Sequence, residues 1–146
     1  MPITFHVEEI DFNLPHEESH ITTWLNRVAN EHDQSIAQLT YIFCADDYLL
    51  TINQTYLQHD YYTDIITFPY DAAEGAIMGD IFISVDRVQE NATQYGHPFA
   101  EELYRVIVHG LLHLIGFNDK TKEEAQSMRQ QEDLHLRSAP HVSRET

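Results

Sequence analysis

The chain holds a single cysteine, Cys44, so no internal disulfide can form. Its setting in the apolar stretch from Tyr41 to Ala45 reads as that of a small buried thiol. Basic residues are nearly as scarce: Lys and Arg number 8 against 24 Asp and Glu, for a formal net charge of −16. A chain so short of cations has no broad basic face with which to hold nucleic acid. A small metal-centred cleft remains possible, because a bound ion concentrates positive charge locally. No apolar run approaches the ~20 residues that a membrane helix needs. The opening residues, Met1-Pro2-Ile3-Thr4-Phe5-His6-Val7, lack the basic and apolar regions of a secretory signal. These absences lead to the expectation of a cytoplasmic soluble protein with no membrane association.

What is present is ordinary for a folded domain: 146 residues, 42% hydrophobic and 22% charged. That length suits one domain, expected over residues 1–137, with 138–146 as a flexible tail. Ile3, Phe5 and Val7 alternate as in a strand. Ile21, Trp24, Leu25 and Val28 recur at helical spacing and predict a helix over about 16–32. Residues 36–44 read as a second strand, and Asp46 or Asp47 can cap a helix running to about Tyr56. A third strand is expected at 64–68, a loop at roughly 70–78, and a fourth strand at 79–84. A helix over about 85–95 follows. The next runs from Pro98 to Gly116 and is apolar around most of its circumference, as a buried helix must be. Thr121 and Glu124 form a capping-box pattern for a last helix to about Leu136. About four strands and five helices, interleaved, imply an α+β fold: a mixed sheet covered by helices, with the 98–116 helix central and buried.

That helix carries His109 and His113 in the stretch His109-Gly110-Leu111-Leu112-His113-Leu114-Ile115-Gly116-Phe117-Asn118-Asp119. With about 3.6 residues per turn, i and i+4 share a face, so both imidazoles can reach one ion. Gly116 offers a helix stop, after which the chain can bring Asp119 back toward the same point. Two His and one carboxylate with an open fourth position describe a catalytic Zn²⁺ site, and the oxygen ligand would also suit Mn²⁺ or Fe²⁺. Asp119 has rival readings, as a loop aspartate or as a cap for the following helix. His97, His135, Glu123 and Glu124 are the other candidates for the third ligand. Gly110 stands where the H-E-x-x-H helix of zinc proteases carries its general base, which counts against a peptidase.

These residues resemble a known family, the bacterial endoribonuclease YbeY. Its signature is similar to HGxLHLxGYDH, matched here at the first, second and eighth positions, at the leucines and at the second histidine. A second family block, LN-x-x-YR followed by TDVLSFP, is similar to Ile52-Asn53, Tyr56 and Thr63-Asp64-Ile65-Ile66-Thr67-Phe68-Pro69. A third, GD(I/L)-x-IS, is similar to Gly79–Ser84. The likeness is detailed over residues 40–119 and extends to the whole chain in element order. It implies a metal-dependent, single-strand-specific endoribonuclease acting in maturation of the small-subunit ribosomal RNA 3′ end and in ribosome quality control. Ribosomal RNA, the small subunit and its basic proteins would be partners. Carried over by position, His109, His113 and Asp119 would hold the metal, and Thr63 and Asp64 would lie near the substrate cleft. A strand-start cap is the alternative role for the last two. Two departures stand out: Asp119 replaces the family's third histidine, and Leu57 replaces the arginine that engages RNA phosphate. A non-catalytic, metal-stabilised ribosome assembly factor is the competing reading.

Overall fold

Residues 2–140 are described in a computed structural model of the chain. The elements run β1 (Ile3–Val7), α1 (Glu18–Glu31), β2 (Ser35–Cys44), α2 (Asp46–Leu57), β3 (Ile65–Pro69), β4 (Ala76–Ser84), α3 (Val85–Tyr95), α4 (Phe99–Ile115) and α5 (Lys122–Leu136). The four strands form one sheet in the order β1-β2-β4-β3. β1, β2 and β4 are parallel, and β3 joins β4 antiparallel. The α+β expectation with a mixed sheet therefore holds.

Strand periodicity sorts the sheet into two faces. Tyr41, Phe43, Ile81 and Ile83 join the main core with Trp24 and Leu25 of α1 and Leu103, Ile107 and Leu111 of α4. Their strand neighbours Cys44 and Ile66 turn to the opposite face, where Leu49 of α2 covers them with Phe68 and Phe82 alongside. Cys44 is fully buried, as expected, and burial above all pushes its thiol up to about 12.

Helix α4 is the centre of the main core. Leu103, Tyr104, Ile107, Val108, Leu111 and Leu112 have no exposed surface, and each large apolar side chain so buried contributes about 1.5–3 kcal/mol. The Tyr41 hydroxyl donates to the Ile107 carbonyl at 2.8 Å and ties α4 to β2. Gly110 lets the helix sit close on the sheet: a Cβ there would meet Ile81 Cδ1 at 2.9 Å and Ile65 Cδ1 at 3.0 Å. A glutamate at this position would therefore point into the sheet, away from any ligand of the two histidines.

Two local expectations are corrected. β4 begins at Ala76, three residues before Gly79, because Ala76, Ile77 and Met78 pair with β2. The cap of α2 is Ala45, with no side-chain hydrogen bond. Asp46 lies inside the first turn and instead accepts from Ser84 Oγ at 3.1 Å and from Arg87 at 2.7 Å. At the start of the expected tail, Ala139 is buried against the core and Ser138 Oγ donates to the His135 carbonyl at 3.3 Å. The rest of the expected tail, 141–146, lies outside the described residues.

Candidate metal centre and cleft

One face of α4 carries Glu102, Arg105, Val106, His109 and His113, which recur at helical spacing. They line a cleft of about 590 Å³ whose other walls bring Thr63 and Asp64 from just before β3, Asn91 and Tyr95 from α3, and Asp119, Arg129 and Glu132. All five residues expected at a site, His109, His113, Asp119, Thr63 and Asp64, thus border one cavity.

Gly116 ends α4 at φ 133°, a left-handed conformation that costs glycine little. The amides of Gly116 and Phe117 bond back to the Leu112 carbonyl at 3.1 and 3.0 Å, turning the chain sharply. Thr121 then caps α5. Its Oγ1 accepts from the Glu124 amide at 3.0 Å, and Glu124 Oε1 accepts from the amides of Thr121 at 3.1 Å and Lys120 at 3.2 Å. The capping box read from sequence is present, so Asp119 is not the cap. Its carboxylate faces back, with Oδ2 3.4 Å from His109 Nε2.

The orientation of each imidazole follows from its other nitrogen. His109 Nδ1 lies 2.6 Å from Glu132 Oε2. An ionised carboxylate only accepts, so Nδ1 carries a hydrogen, and in the neutral ring Nε2 is the nitrogen with the lone pair. His113 Nδ1 donates to the Phe117 carbonyl at 3.1 Å, which leaves its Nε2 in the same condition. Both rings are held in the tautomer a metal ligand requires. Burial opposes charge on His109, yet the Glu132 hydrogen bond and the carboxylates of Glu132, Asp119 and Asp64 together raise its pKa above the ordinary value.

Glu132 is the site residue that the sequence reading missed. It is 6% exposed, on the same stripe of α5 as Met128 and Leu136. A glutamate on a helix's apolar stripe was the available signal. Arg105 Nη1 donates to its second oxygen at 3.0 Å, and Nη2 to Asp133 at 2.7 Å. Arg105 thus bridges α4 to α5.

Asp64 Oδ2 accepts from Asn91 Nδ2 at 3.3 Å, and its main-chain carbonyl accepts from the Ser84 amide at 2.9 Å. Burial above all raises the pKa of its side chain. Asp64 therefore fastens β3 to α3 and borders the cleft as well. Of the rival third ligands, His97 pairs with Glu101 at 3.4 Å, His135 meets His32 at 3.0 Å, and Glu124 is spent in the capping box. The donor chemistry suits zinc. The three side chains are not drawn together around one point, and among the described residues no group of three or more His, Cys, Asp or Glu is close enough to hold a metal. Asp119, whose side chain is 43% exposed, has room to move in.

A family model described as Endoribonuclease YbeY matches residues 2–139. A protein of that name from Cytophaga hutchinsonii is 49% identical over 134 residues, covering 92% of this chain and 93% of its own. One from Bacteroides thetaiotaomicron is 42% identical over 137 residues, covering 93% and 98%. A Thermotoga maritima protein solved in solution shares the fold at a TM-score of 0.64 and 22% identity, over 93% of this chain and 87% of that one.

Proposed function

The chain belongs to the endoribonuclease YbeY family, and on that premise we propose that it cuts single-stranded RNA in the cleft beside α4, in maturation of the small-subunit ribosomal RNA 3′ end and in ribosome quality control. The observation that carries the reading is the matched pair of imidazoles. Both Nδ1 atoms are committed, to Glu132 and to the Phe117 carbonyl, so both Nε2 atoms are free for one ion. His109, His113 and Asp119 would hold Zn²⁺, with Mn²⁺ or Fe²⁺ as substitutes. When bound, the ion supplies Lewis acidity and can lower the pKa of a water molecule.

The chain's own groups do the rest. Glu132 holds the proton on His109 Nδ1 and is itself held by Arg105. Thr63 and Asp64 face substrate from the β3 side, and Asn91 keeps the Asp64 carboxylate in place. No helix among the described residues is long and apolar enough to cross a membrane, which fits work in the cytoplasm on ribosomal particles. The net charge of −16 favours the small subunit's basic proteins as docking partners.

The test is metal analysis and RNA cleavage on the same preparations of wild type, His113→Ala and Asp119→Ala. Loss of bound zinc together with loss of cleavage supports the reading. Cleavage that survives in a metal-free preparation overturns it. Chelation that lowers the melting temperature of a protein that never cuts RNA would favour the assembly factor instead.

A further inference from the structure

The chain has only eight basic residues, and three of them, Arg105, Lys120 and Arg129, border this one cleft. Arg105 is spent on Glu132 and Asp133. Lys120 and Arg129 are exposed, and among the described residues neither side chain enters an ion pair. They border the same cleft as the buried carboxylates Glu102 and Glu132 and the half-exposed Asp119, and both stand at its solvent edge. In an acidic protein, unpaired cations gathered at one cavity are placed where an anionic ligand would gain most from them.

Other parts of the rim are aromatic. Tyr95 ends α3 at 58% exposure, and Tyr61 precedes β3 at 55%. The Tyr61 ring is stacked on His59 at 5.1 Å, and its main-chain carbonyl accepts from Asn53 Nδ2 at 2.9 Å, so the platform is anchored. α3 and α5 both pack on α4 and make no substantial contact with each other. Tyr95 and Arg129 thus stand on separate helices, each packed on the α4 that carries His109 and His113. Cations for the backbone and exposed rings for the bases are the two components by which proteins hold single strands without reading sequence.

We propose that Lys120 and Arg129 bind the phosphates of single-stranded RNA, while Tyr61 and Tyr95 stack its bases, so that the strand crosses α4 over the two histidines. This rests on the nuclease reading and deepens it by naming the groups that hold the strand, Lys120 and Arg129 for its phosphates and Tyr61 and Tyr95 for its bases. Leu57 stands outside the cleft, at the end of α2, so phosphate is held from the α5 side instead.

The probe is a fluorescein-labelled, 2′-O-methylated RNA decamer, which resists cutting, read by anisotropy from 50 to 300 mM KCl. Lys120→Ala with Arg129→Ala should weaken binding at low salt and flatten the slope of log K against log salt by about 1.4, at roughly 0.7 per single-strand phosphate lost. Tyr61→Ala and Tyr95→Ala should each lower affinity at least about fivefold and leave the slope unchanged. Lys122→Ala, exposed but outside the cleft, should match wild type. Equal melting temperatures would certify that the variants fold. The proposal is overturned if the double variant keeps the wild-type slope, if Lys122→Ala flattens it as much, or if wild type does not bind the probe. Cleavage of unmodified RNA is scored separately. Binding with the expected slopes but no cleavage would sink the nuclease reading and leave this one standing.

Discussion

Glu132 Oε2 lies 2.6 Å from His109 Nδ1, joining α5 to α4 across 23 residues of sequence. The contact decides which nitrogen of His109 faces the cleft. It also makes α5 part of the site, although α5 supplies none of the expected ligands.

Glu132→Gln keeps the shape of the side chain and removes the charge. Zinc affinity should fall roughly ten- to a hundredfold, the usual cost of losing such an orienting carboxylate. Competition against a chelating dye would measure it. Affinity equal to wild type would show that Glu132 serves only the Arg105 bridge.

Asp119 and Thr121 are two residues apart with separable roles. Asp119→Ala should abolish tight zinc binding and leave the melting temperature of the metal-free protein nearly unchanged, because the carboxylate is half-exposed and is not the cap of α5. Thr121→Ala should do the reverse, costing about 1 kcal/mol of stability through the lost cap with zinc affinity retained. Urea melts of metal-free protein, set beside zinc titrations, distinguish the two. The assignment fails if both variants change the same quantity.

Gly110→Ala tests whether that glycine serves packing. The new Cβ would stand 2.9 Å from Ile81 Cδ1 and 3.0 Å from Ile65 Cδ1. Overpacking of about 1–3 kcal/mol, offset in part by the ~1 kcal/mol that alanine gains over glycine inside a helix, should leave a net loss of up to about 2 kcal/mol, seen as a lowered urea midpoint. Gly110→Glu should fail to fold and should gain no peptidase activity. A folded, stable Gly110→Glu variant would disprove the close approach of α4 to the sheet.

His135 should make the fold acid-sensitive. Burial first, and then the His32 ring beside it, holds its pKa below the ordinary histidine value, against an opposing pull from Glu31. The unfolded chain takes up this proton near the ordinary value of about 6.5, and the folded chain resists it. Below that pH the unfolded state binds more protons, so stability declines as pH falls toward the lower folded pKa and is unaffected by this group above it. Urea melts at pH 7.5 and 5.5 should show a smaller acid loss for His135→Gln than for wild type. His109, with its raised pKa, works in the opposite direction, and comparison of the two proteins cancels it. Identical acid losses would exclude His135 as the source.

Much of this molecule was legible along the chain because the signals are local. Alternation in β1, helical spacing in α1 and α4, β-branched and aromatic enrichment in β2 and capping residues placed the elements, since each of these signals lies within a few residues of chain. The pair His109 and His113, the stop at Gly116 and the capping box of Thr121 and Glu124 are all contained within one or two helical turns, where sequence distance and spatial distance agree. The start of β4 was misplaced because Ala76 to Met78 carry no strand pattern of their own and become strand by pairing with β2. Gly110 read as a missing base, and only the contact of α4 with Ile65 and Ile81 reveals it as a packing position. Glu132, Arg105, Tyr95, Lys120 and Arg129 meet at one cleft because α3 and α5 both pack on α4. The sequence alone determined the elements and the paired histidines. The tertiary structure decided which nitrogen of His109 faces the cleft, which carboxylate holds that ring, and which of a few scattered cations stand beside it, because those relations join residues that the chain itself keeps far apart.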